Sequence, residues 1–140
     1  MKKYELMKTD KTTPFGNPLF QVVALRDFGD VRKGDLGGYI ESTHNLSNRG
    51  NCWVYGDAKV YENARVYGDA WVSDEAWVYG NARVSDDARV FGDARVYGGA
   101  WVSGEAWVSG ESQVFGGAWV YGEAWVSDNA EIYDTTEPKR

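Results

Sequence analysis

Residues 66–83 read VYGDAW, VSDEAW, VYGNAR, and this stretch decides the fold. Cut every six residues, it says the same thing three times. Val opens each hexad, Ala stands fifth, and the third and fourth positions are drawn from Gly, Asp, Glu and Asn. The frame runs from Val54 to Glu131 without a slip, and Ile132 opens one more unit. Val holds the first position in all thirteen complete hexads, and Ala holds the fifth in all but one, which carries Ser112. A period of six does not match the 3.6 residues of a helical turn, and recurrent Gly weakens a helix further.

The local structure follows from side-chain direction. In an extended strand, alternate side chains face opposite sides. Across one hexad boundary, Ala70 and Val72 therefore point one way, and Trp71 and Ser73 the other. Val favours strands, whereas Gly, Asp and Asn favour turns. Each hexad reads as one short strand plus one corner. Ala and Val suit a narrow interior where three flat faces meet. A single hexad cannot bury its own apolar side. Stacked coils can, with backbones pairing at about 4.8 Å.

An aliphatic in first place and a small residue in fifth resembles the hexapeptide-repeat proteins, whose fold is a left-handed parallel β-helix. The resemblance implies three hexads per triangular coil and a winding opposite to the usual right-handed crossover. With 18 residues per coil, Tyr61, Tyr79, Tyr97, Phe115 and Tyr133 share one second-position column. Trp53, Trp71, Arg89, Trp107 and Trp125 share one sixth-position column. Counted backward, the frame puts Cys52, Leu46 and Ile40 at the fifth position and Asn48, Ser42 and Leu36 at the first. Residues 36–134 then make about five coils, a rod of about 25 Å.

Residues 1–35 do not fit the hexad. Tyr4–Met7 and Leu19–Leu25 read as strands, and TDKTTPFGNP between them is rich in turn residues. A β-hairpin that caps the first coil is expected, because solenoids need capped ends. The final residues, 135–140, read as a polar tail that offers little to cover the last coil. The run ALRDFGDVRKGDLGGYIE followed by NLSNRGNCWVYG resembles the leader of a group of bacterial and prophage proteins that carry long GNARVYG-type arrays. That resemblance implies a phage- or prophage-derived protein acting in the bacterial host cytoplasm. The start of the chain has no apolar signal-peptide core, and no apolar run approaches the roughly 18 residues of a membrane span. A cytoplasmic protein with no membrane partner is expected.

Charge and composition narrow the function. The net charge is −6, and residues 54–131 hold 5 bases against 13 acids, so direct nucleic-acid binding is not expected. Many hexapeptide-repeat proteins resemble one another in being acyltransferases with a His general base and loops that wall the donor site. Here the single His, His44, lies in the weakly repetitive region, and no insertion interrupts the hexads. β-Helical carbonic anhydrases resemble the fold too, but hold zinc with three His; one His and one Cys do not make that site. Cys52 falls at an inward position and reads as a buried thiol. GDLGGY at 34–39 is better read as a turn than as a phosphate loop, since no helix pattern follows it. No catalytic, cofactor-binding or metal site is expected.

The outward layer is what stands out. All seven Trp sit at the sixth position. Nine of the fourteen second-position residues are Tyr or Phe. Arg65, Arg89 and Arg95 each stand two residues before an aromatic, which suggests cation–π pairs along the strand. Trp71, Trp107 and Trp125 in one column and Trp101 and Trp119 in another form a candidate binding surface, with the Tyr61 to Tyr133 column beside them. Asp69, Asp87, Glu105 and Glu123 form an acidic corner column. The expected function is that of a non-enzymatic scaffold or binding protein, acting by self-association as a homo-oligomer or by docking on a host protein. The alternatives are a phage inhibitor of a host defence nuclease through acidic nucleic-acid mimicry, a carbohydrate-binding β-helix whose Trp ladder stacks on sugar rings, and a degenerate acyltransferase.

Overall fold

The computed structural model describes residues 2–133; the polar tail at 135–140 lies outside them. From Trp53 onward the chain forms fourteen two-residue strands, each made of a sixth-position residue and the Val or Ile that follows it. Parallel pairing joins residues 18 apart: Trp53 with Trp71, Trp71 with Arg89, Arg89 with Trp107, and Trp107 with Trp125. Three such ladders stack side by side, so the chain is a β-solenoid. The five-stranded ladder from Trp53 to Trp125 is face 1. Face 2 follows the strands from Lys59–Val60 to Glu131–Ile132, and face 3 those from Arg65–Val66 to Trp119–Val120. Five steps separate Ile40 from Ile132 along face 2, through Val60, Val78, Val96 and Val114.

The interior is the sum of the first and fifth positions. Val54 to Val108 and Ala58 to Ala106 are all fully buried or nearly so. Ser112 is buried among them, and its hydroxyl donates to the Ser109 carbonyl at 2.7 Å, which satisfies the one polar group in the Ala columns. Each buried Val contributes about 1.5–3 kcal/mol relative to exposure, and it does so only because the coils above and below complete its surroundings.

Every corner uses the same backbone device. The third-position residue lies in the left-handed region, at φ between 58° and 69° for Gly56, Glu62, Gly68, Asp74 and the rest of the series to Asp128. The fourth-position N–H then donates to the third-position carbonyl of the next coil, as from Asp57 to Asp74 at 3.0 Å. Glycine accepts this φ without strain, whereas other L-residues are disfavoured there by about 1–2 kcal/mol. At three of the four such corners that are not Gly, the carboxylate returns something. Glu62 accepts from the Gly80 N–H at 2.9 Å, Asp74 from Gly92 at 2.9 Å, and Asp86 from Gly104 at 3.0 Å. Glu41 accepts from the Glu62 N–H at 2.7 Å. A charge-assisted bond to the next coil thus offsets the strained φ.

At the amino end, strands β1 (Tyr4–Thr12) and β2 (Pro18–Ala24) pair antiparallel, and β2 pairs with β3 (Leu36–Ile40) at the edge of face 2. Tyr4, Val22, Ala24, Phe28 and Val31 join the solenoid core there. Lys3 is fully buried, and its ammonium donates to the carbonyls of Gly50 and Cys52 and to Cys52 Sγ at 3.3 Å. Burial pushes the Lys3 ammonium down and the Cys52 thiol up, and each partner partly opposes the shift of the other.

One expectation needs correction. The hexad frame does not extend unbroken to residue 36. Ile40 pairs with Val60 and Leu46 with Val66, so both occupy the first-position column rather than the fifth. The chain between Leu46 and Trp53 holds two extra residues. A slip of two moves Ile40 and Leu46 from one inward position to another, but it leaves a mark at the expected first positions, where Leu36 and Asn48 are exposed rather than buried.

Gly104→Ala and Gly104→Asp separate the two corner solutions. A Cβ at Gly104 meets the Gly122 N at 2.8 Å, and φ is +65°. Ala should cost about 1–3 kcal/mol in chemical denaturation. Asp should cost less, because its carboxylate reaches the Gly122 N–H as Asp86 reaches Gly104. Equal losses would show that the carboxylate bond contributes nothing.

Candidate functional site

The fourth and sixth positions both point outward, with the inward fifth position between them. A trough therefore runs parallel to the rod axis beside faces 1 and 2. The trough along face 1 has a volume of about 870 Å³ and extends from Asn51 to Trp125. One wall is the corner column Asp69, Asp87, Glu105 and Glu123; the other is Trp71, Arg89, Trp107 and Trp125. The structure thus brings the acidic column and one Trp column of the sequence analysis into one groove.

The Trp ladder is graded. Trp53 is 1% exposed, because Tyr4 and Phe28 pack edge-on against it at 6.1 and 5.1 Å. Trp107 is 36% exposed and Trp125 68%. Their indoles stack at 5.2 Å with planes 8° apart. On face 3, Trp101 and Trp119 stack in the same way, at 5.2 Å and 12°. The Tyr61, Tyr79, Tyr97 and Phe115 column on face 2 also stacks, at 5.0 to 5.1 Å, but Tyr61 is buried together with Leu19 and Tyr39. Trp53 and Tyr61 therefore belong to the covered amino end rather than to an open surface. Burial pushes the Tyr61 and Tyr79 phenols up, with their stacked neighbours adding to the shift.

A diagonal rule orders much of the outward layer. Trp71, Trp77, Trp101, Trp107 and Trp119 each lean over the second-position residue of the preceding coil, 16 residues earlier. Trp71 packs edge-on to Tyr55, Trp77 to Tyr61 and Trp107 to Phe91, at 5.4 to 6.3 Å. At two Ser positions the indole N–H donates to the hydroxyl, from Trp101 to Ser85 and from Trp119 to Ser103, both at 2.9 Å, whereas Ser109, the counterpart of Trp125, donates to the Val126 carbonyl. Arg89 and Arg95 stack on the indole one coil away, not on the aromatic two residues along, while Arg65 has Arg83 as its neighbour in the next coil. The Arg89 guanidinium lies 4.2 Å from the Trp71 ring centre and 5.8 Å from that of Trp107, and Arg95 lies 4.6 Å from Trp77. The reason is spacing: same-face residues along a strand are about 6.7 Å apart, while vertical neighbours are about 4.8 Å apart.

A second acidic column was not singled out from sequence. Asp57, Glu75, Asp93 and Glu111 line the other margin of face 1, at the rim of a trough of about 830 Å³ along face 2. The 18-residue period contained this signal. The corner between faces 2 and 3 carries Asn63, Asn81, Gly99 and Gly117 instead. Face 1 therefore lies between two carboxylate ridges, and the third corner is uncharged at this position.

His44 sits apart from these grooves. Its Nε2 is 2.8 Å from the Glu62 carbonyl, and its Nδ1 hydrogen-bonds Ser42 Oγ. In a neutral ring the carbonyl fixes the proton on Nε2, so Nδ1 accepts from the serine. Both ring nitrogens are engaged in bonds within the protein. Among the described residues no group of three His, Cys, Asp or Glu is placed to hold a metal ion, and no helix is long and apolar enough to cross a membrane.

Two stability measurements follow from this layer. Trp53→Ala should cost about 3–5 kcal/mol, as for a large core truncation, and Trp125→Ser about 1 kcal/mol or less. Similar losses would mean that the exposed rung is structural. The tyrosine shifts fix a sign. A phenol whose folded pKa is raised contributes stability that is fully present below about pH 10 and lost as pH rises past it. In denaturation between about pH 9 and about pH 11, wild type should lose stability more steeply than Tyr61→Phe. Parallel pH profiles would count against the buried phenol.

Comparison with known proteins agrees with this architecture. A family model described as YdcK Beta solenoid repeat matches residues 58–74, 76–90 and 88–104. A protein named uncharacterized acetyltransferase YdcK, from Escherichia coli (strain K12), is 34% identical over 62 residues, which cover 39% of this chain and 19% of that protein. The chain thus spans about a fifth of the length of that curated relative. The stacked coils and the repeat match lead to one conclusion: this chain is a β-solenoid repeat protein.

Proposed function

We propose that this chain is a non-enzymatic binding protein that docks on a protein partner through face 1 and its acidic margins, in the setting of a phage or prophage acting on its bacterial host. The observation that carries this reading is the exposed end of the Trp ladder beside a column of carboxylates. Exposed indoles in contact with one another exceed what an isolated surface aromatic needs for solubility, and such patches mark contact sites. The core gains nothing from them, because the first and fifth positions already fill the interior. Aromatic residues are favoured at the centres of protein interfaces, where a rigid side chain supplies contact area at small entropic cost.

The acetyltransferase named among the relatives favours a second reading, a degenerate acyltransferase. Its one specific support in this chain is a histidine, and both ring nitrogens of His44 are held by its own chain, by the Glu62 carbonyl and the Ser42 hydroxyl. The binding reading accounts for more of the outward layer.

The test compares the wild-type chain with a Trp107→Ser, Trp125→Ser variant. A partner retained from bacterial lysate by the wild type and lost by the variant supports docking on a host protein. A solution mass above the 15.6 kDa of one chain, falling to that value in the variant, supports self-association instead. A monomer that retains the same proteins with and without the two indoles overturns the proposal.

A further inference from the structure

The face 1 groove already contains a guanidinium in a defined environment, and that group shows what its open end would accept. Arg89 lies in the Trp column, with its charge 4.2 Å from the Trp71 ring centre and 5.8 Å from that of Trp107. One coil further on, Trp107 and Trp125 offer the same indole surface without an arginine between them, stacked at 5.2 Å and progressively more exposed. Asp87 and Glu105 stand across the groove. A planar cation with several N–H donors fits both walls at once: its face covers an indole, and its edge reaches a carboxylate. An ammonium lacks the flat face.

We propose that the groove between the Trp107–Trp125 rungs and the Asp87–Glu105 column binds arginine side chains of an extended basic segment of a partner protein. This deepens the reading of face 1 as a docking surface and rests on it. Charge complementarity selects the occupant. Acids outnumber bases by 13 to 5 over residues 54–131, and face 1 is bounded by carboxylates on both margins. Register narrows the backbone. A segment in β geometry places same-face side chains about 6.7 Å apart, which does not match a coil rise of about 4.8 Å. A polyproline II segment places every third residue about 9.3 Å apart, close to two coil rises of about 9.6 Å. Trp107 and Trp125 are adjacent rungs, so one arginine of such a segment takes this pair and the next falls two coils away, beside the carboxylates of Asp69 and Asp87.

The probe is a twelve-residue peptide of four Arg-Pro-Pro units, compared by calorimetric titration with its Lys-Pro-Pro counterpart of equal charge. The arginine peptide should bind at least tenfold more tightly. Trp107→Ser with Trp125→Ser should bring it to the level of the lysine peptide, while Asp87→Asn with Glu105→Gln should weaken both peptides. Trp125→Ser alone, at the most exposed rung, should produce part of the loss while the variant remains fully folded at the titration temperature, which separates binding from folding. Equal affinity for the two peptides, or arginine binding that ignores the indoles, overturns the inference. So does indole-dependent binding of a neutral oligosaccharide without arginine binding. If the peptides fail while a lysate partner still depends on Trp107 and Trp125, the docking reading stands and only the arginine assignment falls.

Discussion

Each coil must turn three corners, and each turn forces one residue into the left-handed backbone region. The rest of the molecule depends on that constraint. Gly meets it at most corners because it has no Cβ to clash. At Glu62, Asp74 and Asp86 a carboxylate meets it by holding the backbone N–H of the coil below. The turn in turn aims the fourth-position N–H at the next coil, which fixes the coil spacing. The interior is then set: through the thirteen hexads it has room for Val and Ala, and Ser112, which replaces Ala there, folds its hydroxyl onto a local carbonyl.

Because the interior is filled by two positions of six, the outward positions vary without disturbing it. They are not independent of one another, however. A sixth-position Trp leans on the second-position residue of the coil before it, so aromatic and Ser partners are both served, one by edge-to-face packing and the other by an indole hydrogen bond. The ladder stabilises the rod throughout its length. Only where the hairpin of β1 and β2 no longer covers it does it become a surface, and for that reason Trp53 and Trp125 play opposite parts in one column.

Charge follows the same geometry. Fourth-position acids stack into ridges along the rod at two corners, and the third corner has Asn and Gly instead. A repeat that looked uniformly acidic thus has a side. Carboxylates on both margins of an aromatic face combine the two interactions that guanidinium groups use best, and the chain's own Arg89 already exploits one of them.

The hexad by itself determined the solenoid and the inward Val and Ala, because a short strict period leaves the backbone few ways to bury one side; the resemblance to hexapeptide-repeat proteins added the 18-residue coil, and with it the columns of Trp, Tyr and acid. It did not place the two extra residues between Leu46 and Trp53, since a slip of two exchanges one inward position for another at Ile40 and Leu46 and shows only as the polar Ser42 and Asn48 at expected inward positions. It did not separate Trp53 and Tyr61 from the exposed rungs, because the residues that cover them are distant in sequence. Nor did it show that arginine stacks across coils rather than along a strand. Those outcomes rest on distances between coils and on the cover at one end, and only the folded arrangement of the whole chain supplies them.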